Sequence, residues 1–235
     1  MSNKRRLLLL GLIAAVTIIL YLSIGLNARN WDYALSRRLP RILAIVTTGA
    51  AIAVSTTIFQ TITHNRILTP SVMGLDSLYM LWQTVIVFFF GSGSVLVRNV
   101  NLNFVITAVL MVGFTLVIFK FLLRREAGNV FFLLLIGLIV GTLFQSLSSF
   151  MQMIIDPNEF TVLQGRMFAS FNSVNVNVLT IAVISCGAVL VASIRCFPIL
   201  DVLALGREQA INLGVAYDKA VWRLLIMVII LVSTA

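Results

Sequence analysis

Residues 7–26 read LLLLGLIAAVTIILYLSIGL, 20 consecutive residues without a formal charge, directly after Lys4, Arg5 and Arg6. A helix of that length rises about 30 Å, the thickness of the hydrocarbon core of a bilayer. Cations ahead of an apolar run also open secretory leaders, whose apolar core is about 7–15 residues and ends at an A-x-A-like site. This run is longer and no such site follows, so it reads as a retained first membrane-spanning helix.

The pattern recurs along the chain. Uncharged windows cover residues 42–65, 77–97, 99–119, 127–155 and 167–194, and each holds at least 21 residues. In hydrocarbon the backbone must satisfy its own hydrogen bonds, which makes the spans helices. Six complete spans are predicted. After Arg223 only the 12 residues 224–235 remain, about 18 Å of helix, so a seventh helix is expected to be cut short by the end of the chain. Composition agrees: 60% of the 235 residues are apolar and 11% charged, against about 45–50% and 25% in soluble domains. The expected fold is an all-α polytopic membrane bundle, a single transmembrane domain over residues 1–235.

The net charge is +9, but nucleic-acid binding needs basic residues gathered on one solvated face. Here they flank the apolar runs and set orientation instead. Alternating six spans puts Lys4, Arg5, Arg6, Arg66, Lys120, Arg124, Arg125, Arg195, Arg207, Lys219 and Arg223 on one side. Arg29, Arg37, Arg38, Arg41, Arg98 and Arg166 fall on the other. The excess assigns the first side, with the N-terminus, to the cytoplasm.

Several chemistries are excluded. His64 is the only histidine, Cys186 and Cys196 lack metal-ligand spacing, and no GxxxxGK[ST] run is present. No His, Cys, Asp and Glu cluster supports a membrane-embedded enzyme, and no metal or cofactor is expected. No Asp, Glu, Lys or Arg lies deep inside a span, where ion-coupled carriers place such groups. A secondary, ion-coupled transporter is the alternative, disfavoured on that ground. Uphill movement of a solute then needs energy delivered by a partner.

Four segments break the apolar background. Arg37-Arg38-Leu39-Pro40-Arg41 lies at the outer mouth of the second span, against the positive-inside bias. It anchors headgroups or docks an acidic partner, since Arg offers carboxylates a bidentate fork. Residues 64–76, HNRILTPSVMGLD, form either a plain turn or a functional loop, with Asp76 near the start of the next helix. Residues 141–150, GTLFQSLSSF, offer Gln145, Ser146, Ser148 and Ser149 as pathway or gate candidates, and Gly137 with Gly141 as a GxxxG packing pair. Residues 195–219 are amphipathic and cytoplasmic, a docking surface for a soluble protein or an interfacial helix resting on lipid.

Two of these segments carry a resemblance. Arg38-Leu39-Pro40-Arg41-Ile42-Leu43, the small-residue stretch 49–55 (GAAIAVS) and Gln60 resemble the second helix of FecCD-type permeases. These are the membrane subunits of binding-protein-dependent ABC importers of iron-siderophores and cobalamin. Residues 203–215, LALGREQAINLGV, are similar to that family's cytoplasmic coupling segment. The resemblance implies ten helices per subunit with both termini cytoplasmic, in the bacterial cytoplasmic membrane. It further implies a second permease subunit, an extracytoplasmic binding protein, two cytoplasmic ATPase subunits and surrounding lipid. Arg38 and Arg41 match the positions that meet acidic residues of the binding protein. Leu203, Leu205, Gly206, Arg207, Glu208, Leu213 and Gly214 match the part that seats in the ATPase groove. The chain ends before the family's last helices, and residues 65–75 read NRILTPSVMGL where many relatives carry an N-P-L-A-x-P-x-x-L-G-like run. That variant resembles the permeases of catecholate-type ferric siderophores. The implied function is the transmembrane permease subunit of a ferric-siderophore ABC importer.

Overall fold

A computed structural model describes residues 3–24, 31–125, 130–167, 171 and 174–235. Arg29 lies outside the described residues, as do the side chains of Lys120, Arg124 and Arg125. In chain order the helices are α1 (Asn3–Ser23), α2 (Trp31–Thr63), a 3₁₀ turn (Pro70–Met73), α3 (Leu75–Phe90), α4 (Val95–Arg98), α5 (Val100–Arg125) and α6 (Val130–Ile154). They continue with α7 (Pro157–Met167), α8 (Val176–Ile194), α9 (Phe197–Leu203), α10 (Arg207–Asn212) and α11 (Tyr217–Thr234). The all-helical expectation holds among the described residues.

Five of these helices, α1, α2, α5, α6 and α8, are long and apolar enough to cross a bilayer. The helix in the predicted third span is shorter than its window. Its uncharged window runs to Val97, but α3 stops at Phe90 and has 16 residues, about 24 Å. Gly91 closes it at φ 71°, its N–H bonded to the Val87 carbonyl, a conformation glycine adopts without a steric penalty. The chain then turns through Ser92–Ser94 into α4. The amphipathic α7 folds back over this turn: Leu163 is buried among Ile86, Val87 and Val97. Glu159 accepts from the Ser92 N–H, and Arg166 donates to the Val97 carbonyl. A count of uncharged residues cannot register a Gly-Ser-Gly-Ser break.

The last helix also differs from expectation. The apolar run 224–235 is the later part of an 18-residue helix that begins at Tyr217. Asp218, Lys219 and Arg223 are exposed, while Tyr217, Val221, Leu224, Leu225 and Val228 turn inward. α11 packs against α2, α8 and α5 and forms the centre of the main core. That core joins Ile58, Phe59 and Ile62 of α2 to Leu75 and Leu78 of α3 and Leu200 and Leu203 of α9. At the other extreme, α1 buries none of its apolar window and touches chiefly α2.

Candidate functional site

The candidate residues fall at three levels of the bundle. At one end, α2 has 33 residues and is about 50 Å long, more than a bilayer core requires, and its first turns hold the arginine group. Pro40 lies inside those turns. Arg37 is exposed, whereas Arg38 and Arg41 are half-buried. The Arg38 guanidinium donates through Nη1 to the carbonyls of Tyr21 (3.0 Å) and Leu22 (2.9 Å) and lies 5.8 Å from the centre of the Tyr21 ring. These carbonyls belong to the last turn of α1, where a cation is favoured by the helix dipole. One face of Arg38 therefore anchors α1, an employment that residue spacing does not reveal.

In the middle level, the 64–76 segment and the small-residue part of α6 come together. α2 ends with His64 at φ 50° and the Asn65 N–H bonded to the Gln60 carbonyl, a left-handed cap. The Gln60 amide donates to the Arg66 carbonyl at 2.7 Å, and Asn65 accepts from the Ile67 N–H at 2.9 Å. The chain then enters the 3₁₀ turn and reaches Gly74 at φ 75°. A Cβ on Gly74 would stand 2.7 Å from Gly141 Cα and 3.0 Å from the Gly137 carbonyl oxygen. Backbone therefore meets backbone, the use expected of a GxxxG pair, although here the partner is the end of a 3₁₀ turn. Asp76 occupies the first turn of α3, where the dipole favours a carboxylate.

The α6 polar residues divide between two faces. Ser148 is buried, and its hydroxyl has no partner among the described residues. Gln145, Ser146 and Ser149 are exposed. Ser146 joins Leu138, Thr142, Leu143 and Leu147 along an open groove of about 670 Å³. The four candidates thus do not form one lining.

At the third level, α9 and α10 are short helices joined by a turn at Gly206, φ 105°. Leu203 is 1% exposed and Ala210 0%, both in the main core. Leu205 and Leu213 are each 61% exposed, and Ile211 is 50% exposed. The Arg207 guanidinium lies 5.6 Å from the centre of the Tyr217 ring, tying α10 to α11. Glu208 is exposed, and Gly214 closes the segment at φ 85°. An apolar ridge of Leu205, Ile211 and Leu213 is thereby held on anchors formed by Leu203, Arg207 and Ala210.

A model of the FecCD transport family matches residues 6–235. The chain belongs to this family. Among FecCD relatives, the petrobactin import system permease protein YclO of Bacillus subtilis is 54% identical over 235 residues, covering 100% of this chain and 74% of that protein. The petrobactin import system permease protein FatC of Bacillus anthracis is 34% identical, covering 97% and 64% respectively. Iron(3+)-hydroxamate import system permease protein FhuB of Escherichia coli is 25% identical, covering 96% of this chain and 34% of that protein. A solved metal-chelate type ABC transporter in an inward-facing conformation superposes with a TM-score of 0.80 at 25% identity, covering 99% of this chain and 74% of that one. This FecCD chain is thus a membrane transport subunit, and hydrolysis of ATP belongs to a separate subunit.

The FecCD bundle also contains a polar cluster that sequence reasoning missed. Gln83 of α3 donates to Asn103 Oδ1 (3.0 Å) and Thr107 Oγ1 (3.2 Å) of α5, all three buried. Gln152 of α6 donates to Thr84 Oγ1 at 3.1 Å. Asn103 and Thr107 stand four residues apart, the spacing that puts two side chains on one helix face, and that was the available signal. The buried polar side chains among the described residues include no Asp, Glu, Lys, Arg or His.

Proposed function

We propose that this chain is the permease subunit of a binding-protein-dependent ABC importer that moves a ferric siderophore of the petrobactin class across the cytoplasmic membrane. The family match over residues 6–235, joined to 54% identity with a petrobactin permease, carries the reading. The N-terminus faces the cytoplasm, following the excess of basic residues on that side. A binding protein docks outside on the projecting end of α2, through Arg38 and Arg41, with steering that weakens as salt rises. Two ATPase subunits serve the pair of permeases, one seating on this chain's Leu205, Ile211 and Leu213, with Glu208 contributing at the edge. Their closure pushes the segment about Gly206, and the anchors at Leu203 and Arg207 pass that push to α11. A second permease subunit faces the exposed side of α6, where Gln145, Ser146 and Ser149 border the pathway.

Uptake of ferric petrobactin by cells lacking this gene and complemented with the full-length protein tests the reading. Wild type restores uptake; well-expressed Leu205→Asp/Leu213→Asp keeps assembly of the bundle and loses stimulation of ATPase activity by loaded binding protein. Arg41→Glu loses docking with α1 still anchored by Arg38. Unchanged stimulation in the leucine variant overturns the ridge, and normal uptake with Arg41→Glu overturns the docking surface.

A further inference from the structure

At the inner end of the bundle, a groove of about 280 Å³ opens between α9 and the first two turns of α11. Ile199, Val215, Ala220 and Leu224 form its apolar floor, with Lys219 and Arg223 at the rim. Cys196 also lines it. That residue follows the end of α8 at Ile194, so the groove sits where an apolar span gives way to headgroups. Lys219 and Arg223 are four residues apart and share a helix face. Both are exposed, and neither has a hydrogen-bond or ion-pair partner among the described residues. No carboxylate lines the groove; Asp201 and Asp218 are exposed outside it.

We propose that this groove is a binding site for an anionic phospholipid. The phosphate lies between the Lys219 ammonium and the Arg223 guanidinium, whose fork matches phosphate oxygens. The first part of an acyl chain covers the apolar floor. Charge and apolar surface are both needed: a soluble anion gains nothing from Ile199 or Leu224, and a zwitterionic lipid gains less from two cations. Basic pockets between helices at this level are the kind that hold anionic headgroups. Such a lipid bridges α9 to α11 and stiffens the joint beneath the Leu205 ridge. The inference rests on the membrane location of the chain, not on its cargo.

The test uses the full-length protein, reconstituted in vesicles of phosphatidylcholine with phosphatidylglycerol and extracted for native mass spectrometry. Wild type retains phosphatidylglycerol in preference to phosphatidylcholine. Lys219→Gln/Arg223→Gln lowers that preference on the order of tenfold, since each basic residue contributes separately near an anionic surface. Ala220→Trp, which fills the floor and leaves both cations, also expels the lipid. A control with the same change of charge elsewhere, Arg66→Gln/Arg98→Gln, keeps it. Equal retention of the two lipids by wild type overturns the proposal, as does a preference that survives both groove variants. Displacement by inorganic phosphate as readily as by phosphatidylglycerol also overturns it, because the site would then read the anion alone. Siderophore uptake plays no part in this readout, so failure here and failure of the transport reading are separable.

Discussion

α1 and α11 are both apolar helices of nearly one length, 21 and 18 residues, and they occupy opposite positions in the molecule. α1 is uncharged after its first turn and buries none of its apolar window. α11 carries Asp218, Lys219 and Arg223 and buries seven side chains. In water the helix with the longer uncharged run would take the core. In lipid, association gains little from apolarity because acyl chains are as apolar as leucine, and close packing decides instead. α11 presents Tyr217, Val221, Leu224, Leu225 and Val228 as one face to α2, α5 and α8.

The comparison breaks most sharply at leucine. Leu225→Ala opens a cavity at a fully buried site and is expected to cost about 3 kcal/mol. Leu9→Ala, at an exposed position of α1, should stay within about 0.5 kcal/mol. Reversible unfolding in mixed micelles measures both, and equal costs would dissolve the distinction. Next comes backbone contact. Gly74→Ala pushes a Cβ against Gly141 from a left-handed position and is expected to cost about 2 kcal/mol or more. Gly187→Ala in α8 meets open space and should be neutral or favourable by up to about 1 kcal/mol. The smallest effect belongs to the buried amides: Asn103→Ala removes one bond from Gln83, at about 0.6 kcal/mol, the mean for such pairs in a membrane bundle.

The five long spans were legible because an uncharged run of about 20 residues with no Gly-Ser-Gly-Ser break folds as one helix in hydrocarbon. The ends of α3 and α11 were not, for opposite reasons. Gly91 ends a helix without any charge to announce it. Lys219 and Arg223 extend one because their exposed face tolerates charge. The 195–219 segment was legible as amphipathic, but its division into buried anchors and exposed apolar residues was not. Leu203 and Leu205 are two residues apart and alike in chemistry, yet one is in the core and the other exposed. Arg38 was legible as a charge at the start of the second span; its bonds to Tyr21 and Leu22 depend on where α1 ends in space. Gly137 and Gly141 were legible as a packing pair, whereas their partner, Gly74, lies across the fold.

That three-glycine contact has a genetic consequence. Every missense change reachable from a glycine codon by one nucleotide installs a residue with a Cβ, so no conservative neighbour exists in mutational space. At Gly74, Gly137 and Gly141 that carbon is driven to 3.0 Å or closer to the facing backbone. Point mutation therefore has no gentle step to offer here, and adaptation of the pathway must route around these codons. A random single-nucleotide library selected for transport would thin to silent changes at the three positions while staying populated at Gly11, Gly113 and Gly187, where the added carbon meets nothing within 4 Å.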